Sequence, residues 1–212
     1  GAPVALNSPL APGRAVTDVA FSADSSHVVY RADQEVDERF ELYRAPLEPA
    51  GHARRLGAPA PAHVVKLSDN GSVADFELHG ASVLFHADEG ELRHLYRVPL
   101  DARESPLRLS GSEGSGAFLV DAGATRVAYL GGIADETDVH VYAAPLGGSA
   151  PSTRLDDPAS GTILGDASAF ELHPDGERVY FSASARRFER EELFVTRVDR
   201  AAPVERLADL LP

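Results

Sequence analysis

The chain has 212 residues, an apolar content of 43% and a formal net charge of −13, and it contains no cysteine. The missing cysteines exclude disulfides, thiol catalysis and cysteine-ligated zinc, and the negative charge, with no basic stripe to offset it, argues against a nucleic-acid partner. No apolar run approaches the roughly 18 residues of a membrane-spanning helix, so we expect no membrane span.

The chain opens with a short apolar segment at residues 3–7, which resembles the closing strand of a sheet. The first complete repeat follows at residues 15–57. The polar turn at residues 23–26 contains Asp and Ser, whose side chains provide the local hydrogen bonds of a tight hairpin. We predict four strands in this repeat, at residues 18–22, 28–30, 40–47 and 54–56.

The same order of short strands recurs at residues 73–110, 116–156 and 167–208. Three residue sets keep one phase. The second-strand aromatics, at intervals of 55, 44 and 52, are Tyr30, Phe85, Tyr129 and Phe181. The third-strand aromatics and the closing leucines, both at intervals of 53, 46 and 52, are Tyr43, Tyr96, Tyr142 and Phe194, and Leu56, Leu109, Leu155 and Leu207. This repeat predicts an all-β fold: a β-propeller with four blades of four antiparallel strands, in a single array over residues 1–212.

The two ends of the array together provide one closing strand too many for a simple ring of four blades. Residues 204–207 can close the fourth blade, and residues 3–7 add another such strand. Because open sheet edges attract further strands, we predict a slice of a longer propeller, or half of a ring completed by a second copy. Such a homodimer would hold about eight blades. A closed four-blade monomer and an open curved array are the alternatives.

Two segments carry a family resemblance. Residues 21–30 and 172–180 are similar to the repeat of TolB-type bacterial propellers, which has an aromatic, then Ser, Pro, Asp and Gly, then a β-branched pair and an aromatic. Residues 42–47 and 95–101 resemble the third strand of the same repeat. Only the fourth copy keeps the Pro-Asp-Gly turn intact. The resemblance implies protein–protein interaction in the periplasm.

Acidic residues cluster between the second and third strands of three repeats. Equivalent loops of a propeller emerge on one face, so we expect these carboxylates on one side of the molecule. Two interpretations remain open, a calcium site built from oxygen ligands and solvated hairpin tips. None of the loops has the regular order of a dedicated calcium loop, so we predict no cofactor or metal. The candidate binding residues are Asp33, Glu35, Asp37, Asp88, Glu89, Asp135, Glu136 and Asp138.

Polar residues also occupy matching places on the predicted first strands, which lie nearest the channel of a propeller. Asp18 and Asp75 stand where these strands begin, and His79 and His173 where they end. Two carboxylates can act as acid and base only when they are close and have separated pKa values; the alternative role is to bind backbone N–H groups or water. A two-histidine site at His86 and His94 is a further alternative. We count Asp18, Asp75, His79 and His173 as binding candidates.

No catalytic motif accompanies these residues. The chain lacks the Gly-x-Ser-x-Gly elbow and the His-Glu-x-x-His pattern. The sequence therefore predicts a noncatalytic protein-binding or scaffold propeller of a bacterial envelope or secreted protein, located in the periplasm or outside the cell. The alternatives are the propeller domain of a larger hydrolase or peptidase, and a structural module that assembles into rings.

Overall fold

The computed structural model describes residues 5–47, 64–68, 71–132, 139–156, 164–185, 190–200 and 202–207. Within these ranges the chain forms sixteen strands and no α-helix. The strands make four sheets of four, and each sheet keeps its strands in chain order. This confirms the predicted all-β class and the four four-stranded antiparallel units. The described part of the chain has no helix long and apolar enough to cross a membrane.

The strands of each sheet are consecutive along the chain. The first sheet contains β1 (Val16–Phe21), β2 (His27–Val36), β3 (Arg39–Pro46) and β4 (Val65–Lys66). The second contains β5 (Ser72–His79), β6 (Ser82–Glu89), β7 (Leu92–Pro99) and β8 (Leu107–Arg108). The third contains β9 (Phe118–Val120), β10 (Arg126–Gly131), β11 (His140–Pro145) and β12 (Thr153–Arg154). The fourth contains β13 (Leu164–Leu172), β14 (Arg178–Ala185), β15 (Arg190–Arg197) and β16 (Glu205–Arg206).

An aromatic pair joins the second and third strands of every sheet. In the first sheet Tyr30 lies opposite Tyr43, with ring centroids 5.5 Å apart. These pairs are the two aromatic sets predicted from the spacing, and stacked cross-strand rings fix the pairing of their strands. The other three pairs, with centroids 5.3, 5.6 and 5.6 Å apart, are Phe85–Tyr96, Tyr129–Tyr142 and Phe181–Phe194.

Buried hydroxyl groups of these pairs find carboxylate partners. The Tyr43 hydroxyl donates to Glu41 at 3.0 Å, and burial together with this carboxylate raises the pKa of Tyr43. In the second sheet the hydroxyl of Tyr96 bonds to Glu89. The fourth sheet pairs two phenylalanines, which have no hydroxyl to satisfy. The choice of Tyr or Phe therefore follows the polar partner that each sheet provides.

The predicted closing strand of the first repeat is wrong in position. Residues 54–56 lie outside the described residues, and the fourth strand of the first sheet is β4, so this sheet extends beyond residue 57. Leu67 follows β4, is buried, and donates its N–H to Leu42 O at 2.7 Å. Leu109 and Leu155 make the same bond in the second and third sheets. The connection before the fourth strand is longer in the first repeat, so Leu67 falls outside the regular spacing of the closing leucines.

The predicted leading strand at residues 3–7 is not present in the described part of the segment, because residues 5–7 belong to no strand. Leu6 instead packs beside the buried cluster of the first sheet, which contains Tyr30 and Tyr43. Within residues 5–7, Leu6 therefore covers apolar surface of the first sheet.

The chain forms two compact units, residues 1–90 with 96–107, and residues 91–95 with 108–212. In the first unit, the first sheet packs face to face against the second. We call the face that a sheet turns toward the next sheet its front face, and the face that it turns toward the preceding sheet its rear face. The front face of the first sheet is formed by Val29, Leu42 and Leu67, and the rear face of the second by Val83, Phe85 and Tyr96.

The second unit repeats this arrangement with the third and fourth sheets. The two faces again form one buried cluster, so each sheet hides its apolar side against a neighbour. The front face of the third sheet is formed by Ala128, Val141 and Leu155, and the rear face of the fourth by Val179, Phe181 and Phe194.

Candidate functional site

The predicted acidic loops are largely strand. Asp33 and Glu35 lie within β2, and the turn that follows consists of Asp37 and Glu38. Asp88 and Glu89 are the last two residues of β6. The prediction that these carboxylates occupy loops is wrong for four of the five, because the paired strands extend to a two-residue turn. Such a turn requires a left-handed residue, and Glu38 has a φ of 59°.

Asp33 is a buried structural residue. Its carboxylate accepts the Ala15 N–H at 2.7 Å and the Glu38 N–H at 3.4 Å. The hydrogen bond from Ala15 is the main cause that holds the pKa of Asp33 below its usual range. This carboxylate therefore ties the segment before β1 to the hairpin and is not available to a ligand.

The remaining acidic candidates do not form a metal site in the described residues. Glu35 accepts from Lys66 Nζ at 2.9 Å, and Glu89 is bonded to Tyr96. Across the ranges that the structure covers, no three His, Asp or Glu side chains converge well enough to hold a metal ion. The third acidic segment, with Asp135, Glu136 and Asp138, lies outside the described residues.

Asp18 and Asp75 occupy the same place in their sheets. Asp18 lies opposite Arg31 and Asp75 opposite His86, each just after a β-bulge. The Asp18 Oδ2 to Arg31 Nη1 distance and the Asp75 Oδ1 to His86 Nδ1 distance are both 2.7 Å. Each carboxylate thus has its own cross-strand partner, and the two do not form an acid–base pair with each other.

The two histidine candidates also have local partners. His79 Nε2 lies 3.0 Å from Glu77 in β5. His173 Nδ1 lies 2.8 Å from Asp175 in the turn after β13, and its ring is tilted against Tyr180. The two-histidine alternative gains no support, because His86 is bonded to Asp75 whereas His94 is bonded to the Ser110 hydroxyl.

A buried polar cluster between β11 and β12 was not predicted from the sequence. His140 Nδ1 lies 2.7 Å from Asp156 Oδ2, and Arg154 Nε lies 2.8 Å from Asp156 Oδ1. Asp156 is fully buried and His140 almost so. His94 and Ser110 occupy the same places in the second sheet. The repeat could have revealed the cluster. In both sheets the first partner directly precedes a buried residue of the third strand, and the second partner directly follows the closing leucine.

A polar cleft of about 240 Å³ lies in the second unit beside the turns after β9 and β13. Asp121 lines it and accepts hydrogen bonds from the N–H groups of Thr125 and Arg126 at 2.7 and 2.6 Å. Burial would raise the pKa of Asp121, but these bonds outweigh it and lower that pKa. The carboxylate is therefore ionised and committed to its own turn, as are those of Asp24 and Asp175 in the equivalent turns.

Among the residues that the structure describes, the most exposed large apolar side chains lie on β1. Val19 is 62% exposed and Phe21 is 64% exposed. Their counterparts in the second sheet, Phe76 and Leu78, are partly buried against the front face of the first sheet. The counterparts in the fourth sheet, Phe170 and Leu172, are partly buried in the same way. The apolar side chains at these positions are thus partly covered in the second and fourth sheets, but they are exposed on β1.

Comparison with solved structures identifies proteins of similar fold. No family model and no curated protein matches the chain. Among solved structures, the chain is similar to a putative TolB from Agrobacterium tumefaciens, at 15% identity and a TM-score of 0.49, over 91% of this chain and 65% of that one. It is also similar to a prolyl endopeptidase, at 14% identity and a TM-score of 0.53, over 91% of this chain and 26% of that one.

A third similarity is to a structure of a nidogen/laminin complex, at 10% identity and a TM-score of 0.46, over 92% of this chain and 65% of that one. The chain therefore spans at most 65% of the length of each of these structures. At such identities the likeness shows the fold alone. Together with the four four-stranded sheets, it confirms the predicted β-propeller fold class.

Proposed function

We propose that this chain is a noncatalytic protein-binding module built from TolB-type propeller repeats, in a bacterial envelope or secreted protein. The observation that carries the proposal is the exposure of Val19 and Phe21 on β1. Alternate residues of a strand share one face, so these two side chains form a single apolar strip. Contiguous apolar surface of this kind is a mark of protein–protein contact.

The titratable residues support a noncatalytic role. A general acid at neutral pH needs a carboxyl group whose pKa is raised. In the described residues, the carboxyl groups with displaced pKa values are displaced downward, because hydrogen bonds from nearby donors hold them ionised. These groups are Asp24, Asp33, Glu113, Asp121 and Asp175.

The envelope or extracellular location is part of the same proposal. It follows from the resemblance of residues 21–30 and 172–180 to the TolB-type repeat. Among the carboxylate candidates, Asp18 directly precedes Val19 on β1 but belongs to the other face of the strand, because successive residues alternate between the two faces, so it is not part of the apolar strip. Asp33 is not part of this surface, because it is buried.

The proposal is tested by site-specific photo-crosslinking. A benzophenone amino acid is placed at Phe21, and a control chain carries it at Val36, which is also exposed but lies at the far end of β2. In an extract of the native host, position 21 should give a defined crosslinked protein that position 36 does not. Equal, diffuse crosslinking at both positions would contradict the proposal.

One observation favours a second candidate, a propeller domain that works beside a catalytic domain. The chain is similar to a prolyl endopeptidase structure and spans 26% of it. The strip on β1 would then contact a catalytic domain, and the crosslinked product would be a hydrolase. Hydrolysis of proline-containing peptides by the purified chain itself would contradict the noncatalytic role.

A further inference from the structure

Successive sheets pack through the front face of one sheet and the rear face of the next. Two of these faces are left partly exposed, the rear face of the first sheet and the front face of the fourth. On the rear side of the first sheet, Tyr30 and Tyr43 are buried and Leu6 packs against their cluster, so the part that stays exposed is the strip of Val19 and Phe21 on β1. The same positions of the second and fourth sheets, which follow another sheet within their units, are partly buried. They pack against buried clusters that include the front face of the preceding sheet.

On the fourth sheet the front face is incomplete. Leu193 is 45% exposed, whereas Leu42 and Val141 in the same place on the first and third sheets are fully buried. The three residues are equivalent by strand pairing, because each lies on the third strand opposite the residue that follows a second-strand aromatic. Tyr180 and Leu207, which complete this front face, are also only partly buried.

We propose that the apolar strip of β1 is covered by a second copy of this chain, through the front face of its fourth sheet. This inference rests on the proposed function, since it names the partner of the same surface. The repeated contact within each unit shows what covers such a strip, namely the front face of another sheet of this repeat. The fourth sheet of a second copy supplies such a front face. In return, the β1 strip of the second copy packs against the fourth sheet of the first copy.

Carboxylates on the face that carries the β1 strip are paired. Lys66 lies in the row of cross-strand partners that contains Tyr43, Tyr30 and Val19. Its Nζ lies 2.9 Å from Glu35 and 2.8 Å from Glu41, so these two carboxylates meet a cation beside the proposed contact. Two such head-to-tail contacts close on themselves when related by a two-fold axis. The resulting eight sheets are within the usual size of a propeller.

Sedimentation equilibrium tests the proposal on the full chain. The wild type should have twice the 22.5 kDa mass of one chain. Phe21→Asp and Leu193→Asp should each give a monomer with an unchanged circular dichroism spectrum, because both side chains are exposed in the single chain. Dimerisation should weaken by about a thousandfold, since each of two contacts loses roughly thirtyfold on truncation of a central apolar residue. Val36→Asp, an exposed control, should remain a dimer.

A mixing experiment identifies the two faces. Phe21→Asp leaves the fourth sheet intact and Leu193→Asp leaves the first sheet intact, so an equimolar mixture regains one of the two contacts. It should therefore form a heterodimer that is stronger than either homodimer, because a second substitution in a contact that is already broken costs little more. A dimer of Leu193→Asp by itself would mean that two β1 strips meet each other, and it would overturn the proposal.

Three further outcomes separate this inference from the proposed function. A wild-type monomer whose Phe21 site crosslinks to a different protein would overturn the second copy as partner and keep the binding function. A mass that grows beyond two chains with concentration would overturn the closed pair. A monomer with no specific crosslink at position 21 would overturn both.

Discussion

Removal of Asp156 should be among the most destabilising single changes in the second unit. The carboxylate is fully buried and is bonded to His140 and Arg154 at 2.7 and 2.8 Å. In Asp156→Ala, the Arg154 side chain can turn toward water because 35% of it is exposed, whereas His140 remains buried. Breaking a buried pair costs about 3–5 kcal/mol. We expect a loss of about 3 kcal/mol, at the lower end, because Arg154 regains water and the cost falls on the bond that His140 makes to the buried carboxylate.

Urea unfolding followed by far-UV circular dichroism measures this loss, since the chain contains no tryptophan for fluorescence. Asp156→Asn keeps an acceptor for His140 and should lose less. Asp199→Asn, which removes an exposed partner of Arg197, should change the free energy of unfolding by about 1 kcal/mol or less. Replacing both buried partners, with His140→Phe and Asp156→Leu, should recover most of the stability. A loss in Asp156→Ala as small as that in Asp199→Asn would refute the reasoning.

Three other changes have defined outcomes. Gly176 has a φ of 70°, and a Cβ there would lie 3.1 Å from Asp121 Cβ, so Gly176→Ala should cost about 1–2 kcal/mol in urea unfolding, whereas Gly147→Ala, in open space, should be neutral. Tyr129→Phe removes the hydroxyl that donates to Glu113 at 2.6 Å, and should cost about 1.5–3 kcal/mol; an unchanged urea midpoint would contradict this contact. The Ser22 hydroxyl, with the N–H of Ser26, lowers the pKa of Asp24 to about 2. Because this pKa lies below the unfolded value of about 3.9, the stability it contributes is present above pH 4 and is lost as the pH falls toward 2. Asp24→Asn should make that acid-induced loss shallower, and an identical pH profile would contradict the assignment.

The strand pairing could be predicted from the sequence wherever the repeated residues contact each other directly. Tyr30 and Tyr43 must stack across adjacent strands, so their spacing to the later aromatics carries the strand pairing directly. The closing strand of the first sheet could not be predicted in this way. It is only two residues long, and the spacing chose Leu56, whereas the structure uses Leu67.

The site was less predictable because exposure and partners are properties of the packed sheets. Asp33 looked like a loop carboxylate, yet the hairpin places it beneath the segment that contains Ala15, where it is buried. His140 and Asp156 are distant in the sequence, and only the pairing of β11 with β12 brings them together. The apolar strip had no signal at all, since Val19 and Phe21 read like the covered residues of the other sheets.

Chemical crosslinking between two introduced cysteines tests the central claim that the first and fourth sheets complete each other between copies. The chain has no cysteine of its own, so Val19→Cys and Leu193→Cys provide a clean background for a short bis-maleimide. The double variant should give a covalent dimer, a mixture of the two single variants should give the heterodimer, and neither single variant should crosslink alone. A link formed within one chain of the double variant, or a dimer of Val19→Cys alone, would contradict the account.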